Sequence, residues 1–409
     1  MFVNLFLSVL FLDFYFLFLL ILLFFVLEGI FVLFWSGGCF FFDSFSFLVL
    51  GLMSVLVLGF VVYFEQVKFL GFSVCLVIYF SLLFFFSNNM MLLYMFYELT
   101  LIPVLFSILG FGRQVEKVGA SYYLVFYTFF FGFPYLFIYG RVCDFFDFIY
   151  FDFGLGVEWA LVLSFCFLVK FPIYFFHVWL PKAHVEAPTS ISMVLAGVML
   201  KLGGAGVLRM GKCLNYVFLE FWILLSLVSM TVCSFICLFQ SDAKSLAAYS
   251  SICHMGFVLL AEVSFVYFGK AMGVVMMLSH GFTSVMMFYF IGEFFHVSGS
   301  RLIYYMRGYF NTSCLLSLFF CLTFMSNFSF PFCITFFSEY VMVNYYSCLY
   351  LLGFIFLFFY YMISFYYSIY MLVVFLFGYN FFNMKDSVSM FSLPMVFMMY
   401  NFFWFLVII

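Results

Sequence analysis

The sequence predicts an all-α membrane protein, a polytopic helical bundle of about 13 spans in which two helices are broken. Three observations carry this. The chain of 409 residues is 69% hydrophobic and 8% charged, with a mean hydropathy of +1.29, whereas about a quarter of the residues in soluble domains are charged. Its apolar runs reach or exceed the roughly 20 residues that a helix needs to cross a bilayer. A spanning barrel would show short alternating segments instead. Finally, Phe171-Pro172 and Phe330-Pro331 interrupt two such runs, each near an ionisable group.

In order, the expected spans are 3–34, 45–64, 69–86, 89–110, 119–140, 157–177, 188–208, 217–239, 245–265, 271–296, 310–346, 349–376 and 389–408. The first and eleventh are too long for one upright helix, so each is tilted, broken or a pair. No soluble domain is expected, and 1–409 reads as one integral membrane domain. The longest loop, Arg141 to Gly156, is acidic through Asp144, Asp147 and Asp152. A proline-broken helix in each half points to an inverted-repeat transporter, with 69–208 as the first repeat and 217–376 as the second. The apolar start continues for some thirty residues without a cleavage pattern, so it reads as a first span rather than a removable signal.

Apart from Lys170 and Lys201, the Lys and Arg residues lie in expected loops. Even-numbered loops hold Lys68, Arg113, Lys117, Lys182, Lys244, Arg301, Arg307 and Lys385; odd-numbered loops hold Arg141, Arg209, Lys212 and Lys270. That excess places the even loops and the N-terminus on the cytoplasm-like side.

Several functions are disfavoured. No basic tract suggests nucleic acid, and no G-x-G-x-x-G or Walker pattern suggests a nucleotide site. The twelve Cys form no C-x-x-C pair, so iron–sulfur ligation is not expected. His177, His184 and Glu186 lack a standard metal-ligand spacing. The abundance of Phe (77) and Met (25) fits a T-rich coding genome such as a mitochondrial one.

Chemistry is expected where charge sits inside spans. Glu98, Lys170 and Lys201 each cost about 2.5–3.5 kcal/mol on insertion scales, so such residues face the bundle interior, pair, or line a hydrated path. A snorkelling lysine or a structural hydrogen bond is the plainer alternative for each. Glu98 and Lys170 suit an ion pair: a nearby carboxylate favours the charged lysine and burial favours the neutral one. Such a lysine is a controllable proton store, which an arginine is not. Glu339 follows the second break by eight residues, where water has a route in. His254 and His280 fall in later spans and can relay protons near neutral pH. Ser250, Ser251, Ser279 and Thr283 accompany them and could equally bond backbone carbonyls. Glu158, Glu220, Glu262 and Glu293 are expected near span ends, close to water.

The segment VKFPIYFFHVWLPKAHVEAPTSISMVLAGVMLKLGGAGVLR resembles the core signature of the NADH dehydrogenase subunit 4 family of mitochondrial respiratory complex I. So do FYELTLIPVLFSILGFGRQVEKVGASYYLVFYT, SDAKSLAAYSSICHMGFVLL and SHGFTSVMMFYF. The match runs over most of Tyr97 to Glu339. This family is one of three antiporter-like, proton-pumping subunits, so the resemblance implies an antiporter-like inverted-repeat fold in the mitochondrial inner membrane. By resemblance, Glu98 matches the family's helix glutamate, Lys170 the lysine on its broken helix and Lys201 its central lysine. His254 and His280 match its axis histidines, and Glu339 its terminal glutamate. The implied function is proton translocation through half-channels joined by this buried row.

By the same resemblance the chain binds no cofactor. NADH, FMN, iron–sulfur clusters and ubiquinone belong to other subunits, and the partners are other membrane-arm subunits, including the antiporter-like ones, together with lipids. Set against the family's usual fourteen spans, the expected count is one short at the N-terminus, and His296 to Phe310 diverges from the family's pattern. Two rival readings remain: a cation/proton antiporter, which shares the signature, and a non-pumping scaffold whose charges only pin helices together.

Overall fold

A computed structural model of the chain describes residues 5–6, 8–32, 40, 45–112, 114–142, 156–214, 219–264, 267–308, 314–349, 351–378 and five residues between 394 and 402. Most of the expected last span, the acidic loop with Asp144, Asp147 and Asp152, and Arg113 and Lys385 lie outside the described residues.

The described residues are helical nearly throughout. The long first run resolves into a 3-10 turn at Ser8–Phe11 and α1 at Tyr15–Phe31, with Asp13 exposed between them. Then come α2 (Phe45–Phe64), α3 (Lys68–Phe86), α4 (Met90–Leu99), α5 (Leu101–Phe111), α6 (Lys117–Val142) and α7 (Val157–Leu168). After the first break follow α8 (Trp179–Glu186), α9 (Thr189–Val194), a π-helical turn at Leu195–Met199 and α10 (Leu200–Leu214). The remaining helices are α11 (Leu219–Leu238), α12 (Ala243–Val263), α13 (Tyr267–Ser298), α14 (Cys314–Asn327), α15 (Ile334–Leu349) and α16 (Leu351–Leu376). Among the described residues eight helices are long and apolar enough to cross a membrane, and four shorter apolar ones accompany them.

The chain divides into two compact units. One comprises Met1–Pro172 and Phe176–Leu219; the other comprises Ile173–Phe175 and Glu220–Ile409. In each, one described span is more enclosed than the others. In Thr189–Gly211 and in Ala243–Val263, 94% of the spanning window is buried, against 28% in Lys117–Arg141. These enclosed helices carry Lys201 and His254. On α6, Tyr122, Phe126, Phe129, Phe130, Phe133 and Phe137 are exposed. Their three-to-four-residue spacing makes one apolar face, which suits lipid and not water.

Both proline breaks are present, and each has a local cause. Pro172 has no N–H for the carbonyl of Leu168, where α7 stops. The freed helix end is held from outside: Trp179 Nε1 donates to the Val169 carbonyl at 2.8 Å. The end of α14 closes as a Schellman motif. Phe330 N–H donates to the Met325 carbonyl at 3.0 Å and Ser329 N–H to the Ser326 carbonyl at 3.2 Å. Ser329 sits at φ 60° to allow this, a position usually given to glycine. Thr335, in the first turn of α15, donates its hydroxyl to the same Ser326 carbonyl at 2.9 Å and so ties the two helices across the break. Phe175 and Phe332 each adopt φ 81°, a conformation costing an aromatic residue on the order of 1–3 kcal/mol. Strained backbone thus marks both breaks.

Several details depart from the sequence reading. The span 89–110 is interrupted at Thr100, because Pro103 denies the Leu99 carbonyl its usual donor. Arg209, expected in a loop, is buried in α10. Its Nη1 donates to the Ser87 carbonyl and its Nη2 to the Phe85 carbonyl, and its guanidinium lies 4.5 Å from the centroid of the Phe47 ring. It therefore caps the C-terminal end of α3. This removes one of the four opposing charges from the loop count, and Lys244, 3% exposed in α12, removes one of the eight.

Candidate functional site

The first unit gathers three of the six expected residues. The α4–α5 junction places the Tyr97 carbonyl where two donors reach it: the Thr100 hydroxyl at 2.8 Å and the ammonium of Lys170. Lys170 Nζ also lies 3.4 Å from the centroid of the Tyr97 ring, a cation–π contact. Glu98, the next residue on α4, is half-buried and interacts electrostatically with Lys170. The Tyr97 hydroxyl reaches back to the broken helix, donating to the Phe167 carbonyl at 3.2 Å and more weakly to that of Cys166 at 3.4 Å. Tyr97 therefore holds Lys170 and the break beside Pro172 together. Sequence reasoning did not single it out.

Lys201 is 0% exposed. Its ammonium turns back on its own helix and donates to the Ala196 carbonyl at 2.5 Å. Ala196 is in the π-helical turn, where i→i+5 bonding widens the backbone and reorients carbonyls. The following turns carry Gly203 and Gly206 because the broken helix lies against them. A Cβ at Gly203 would come within 2.9 Å of both the backbone nitrogen and the Cβ of Phe171, and one at Gly206 within 2.4 Å of the Phe167 ring. Since backbone cannot give way as a side chain can, Gly203→Ala is expected to destabilise the fold by roughly 1–3 kcal/mol, the usual cost of overpacking. The amount of assembled complex on a native gel would report it; a wild-type amount would contradict this packing.

The second unit gathers the other three. Glu339 on α15 is buried, with Oε1 3.4 Å from His254 Nδ1 on α12. Its other oxygen, Oε2, accepts a hydrogen bond from the Tyr361 hydroxyl on α16 at 3.0 Å. The rings of His254 and His280 lie 5.4 Å apart at 34°. A buried carboxylate and two buried imidazoles thus form one cluster with the half-buried phenol of Tyr361, and Glu339 is set 12 residues after Asn327, the last residue of α14 before the break. Tyr361 had no signal in the sequence, being one of thirty tyrosines.

The serines near this cluster mostly serve backbone. Ser250, Ser251 and Ser279 donate to carbonyls three residues back, those of Ala247, Ala248 and Met276. Thr283 does the same to His280. Among the described residues no group of three or more His, Cys, Asp or Glu could hold one metal ion. Glu262 departs from expectation: read as a water-accessible helix end, it is buried at 2% exposure.

The matching family model, described as NADH:quinone oxidoreductase/Mrp antiporter, transmembrane, covers residues 87–365. Those bounds enclose all six residues above. The chain is 48% identical over 310 residues to NADH-ubiquinone oxidoreductase chain 4 of Ascaris suum, covering 76% of each protein. It is 44% identical over 326 residues to the chain of the same name from Caenorhabditis elegans, covering 80% of each. In fold it resembles a chain of respiratory complex I from Thermus thermophilus, with a TM-score of 0.82 at 19% identity over 94% of this chain and 90% of that one. A chain of an archaeal membrane-bound sulfane sulfur reductase superposes as well, with a TM-score of 0.82 at 16% identity over 99% and 93%. Sequence and fold agree: the chain belongs to the NADH:quinone oxidoreductase/Mrp antiporter family, among the NADH-ubiquinone oxidoreductase chain 4 proteins.

Proposed function

We infer that the chain is a proton-translocating membrane-arm subunit of NADH:ubiquinone oxidoreductase, complex I, and a multi-pass protein of the mitochondrial inner membrane. One observation carries the mechanism: in each unit, buried titratable side chains stand beside a proline-broken helix. Lys170 is two residues from Pro172, and Glu339 follows Pro331 by eight. The breaks give water a route to groups that are otherwise enclosed in apolar helices.

In the proposed order, Glu98, Lys170 and Lys201 act first, then His254 or His280, then Glu339. A charge change at Glu98 alters how tightly Lys170 holds its proton, Lys201 accepts it, and the histidine–glutamate cluster receives and releases a proton. Moving one proton against 100 mV costs about 2.3 kcal/mol. A change of two pKa units supplies about 2.7 kcal/mol, so modest electrostatic changes suffice. The repeats 69–208 and 217–376 each supply one half-channel in this reading. The chain itself holds no redox group. NADH, FMN, the iron–sulfur clusters and ubiquinone are handled by partner subunits, and other antiporter-like subunits and lipids flank this one.

The test is proton stoichiometry in the assembled complex. Glu339→Gln keeps the shape and the acceptor for Tyr361 but cannot ionise. It is expected to lower the protons moved per NADH oxidised, with Glu339→Asp recovering part of the loss. Unchanged stoichiometry in Glu339→Gln would remove Glu339 from the row. A free-standing antiporter would instead show sodium-dependent exchange without NADH-oxidising partners on co-purification.

A further inference from the structure

Glu262 is a buried carboxylate that the row does not use. It sits in the last turn of α12, one residue before Val263. It is 2% exposed, and neither carboxyl oxygen has a hydrogen-bond partner among the described residues. No charged neighbour acts on it there. An acidic side chain in an apolar span costs about 2.5–3.5 kcal/mol, and a leucine or isoleucine would fill the same space without that cost. Among the described residues nothing structural offsets the cost: there Glu262 caps no helix and pins no neighbouring helix.

Its position is specific. His254, Val258 and Glu262 are spaced four apart and form one stripe of α12. Along that stripe Glu262 lies eight residues, or about 12 Å, from His254. The antiparallel neighbour α13 matches this spacing. His280 stands against His254 at one end, with ring centroids 5.4 Å apart. At the other end Gly273 stands against Glu262: a Cβ there would lie 3.3 Å from Glu262 Cγ. The missing side chain at Gly273 is what makes room for the carboxyl group between the helices. From α15, the Tyr346 hydroxyl donates to the Leu260 carbonyl at 2.7 Å and closes that flank. The α12–α13 seam therefore has a proton-carrying pair in its middle and a lone carboxyl near its end, with buried Val258 between them on α12.

We propose that Glu262 is a further proton-carrying residue of the second unit, linking the His254–His280 pair to the membrane surface at the C-terminal end of α12. This rests on the pumping reading above. The imidazolium of His254 gives up its proton, which reaches the Glu262 carboxylate through water that enters past Val258 during turnover. The imidazole becomes neutral and the carboxyl protonated. Glu262 then passes the proton to water at the helix end and returns to carboxylate. A carboxyl group suits this step because it accepts when ionised and donates when protonated.

The experiment uses the assembled complex in proteoliposomes, measuring NADH–quinone turnover, protons moved per NADH, and infrared difference spectra during turnover. Glu262→Gln is expected to assemble, to lower the protons per NADH to the level of Lys201→Met run alongside, and to lose a carboxylic C=O band. Glu262→Asp should retain most of the pumping. Wild-type stoichiometry in Glu262→Gln, with Lys201→Met impaired, overturns this inference alone; wild-type stoichiometry in both overturns the pumping reading itself. Should Glu262→Gln not assemble, Glu262→Leu, matched to the apolar surroundings, decides. Lowered stoichiometry in that variant supports the inference. Normal pumping or a second failure to assemble overturns it, the latter in favour of a structural role.

Discussion

Replacing Lys201 with methionine is expected to abolish this chain's share of proton pumping while the complex still assembles. The lysine is fully buried, and its ammonium donates to the Ala196 carbonyl within its own helix. Losing that charge-assisted bond costs about 1.5–3 kcal/mol. Removing an ammonium from an apolar span returns about 2.5–3.5 kcal/mol. The two nearly cancel, and methionine fills most of the volume. Stability should therefore change little, whereas a group that exchanges protons is gone. Protons moved per NADH in reconstituted vesicles, read beside a native gel, separate the two effects. A variant that assembles and pumps with normal stoichiometry would show that Lys201 is not in the row.

Much of the fold was legible because a membrane allows few solutions. Apolar runs of span length must be helices when every backbone group needs an internal partner, and Pro172 and Pro331 must interrupt them. What the sequence concealed lies in the backbone. The π turn at Leu195–Met199 has no signature in LAGVM. The cap at the end of α14 places serine where glycine is the usual sign. Pro103 could be seen, but the carbonyl that its kink presents to Lys170 belongs to Tyr97 and carries no side-chain signal.

The site divides along a similar line. Glu98, Lys170, Lys201 and Glu339 stood out because charge is rare in such a chain. Their partners did not, since Tyr97 and Tyr361 are two among thirty tyrosines. Hydropathy also misplaced Arg209 and Glu262, because proximity to a run's end says nothing about what covers the side chain. Arg209 is enclosed by the helix end that it caps, and Glu262 by the seam against Gly273.

Lys170 offers the sharpest separation of a pump from a scaffold. Its ammonium touches the Tyr97 carbonyl and the face of the Tyr97 ring. Lys170→Met removes both contacts, yet the carbonyl keeps the Thr100 hydroxyl and the Tyr97 hydroxyl still braces the break at Phe167. The losses are the cation–π contact, about 0.5–2 kcal/mol, the charge-assisted bond, about 1.5–3 kcal/mol, and the electrostatic interaction with Glu98. Removing an ammonium from an apolar span returns about 2.5–3.5 kcal/mol, so assembly should fall modestly. Lys170→Arg keeps the positive charge, the donors and the stacking on Tyr97, but a guanidinium does not give up its proton in a protein. It is expected to assemble nearly as well as the wild type and to pump no better than Lys170→Met. The measurements are the yield of assembled complex and the protons moved per NADH in the same preparations. If the charge at this position only pins α4 to the broken helix, arginine will restore both quantities together. Restored assembly without restored pumping would show that Lys170 must exchange its proton.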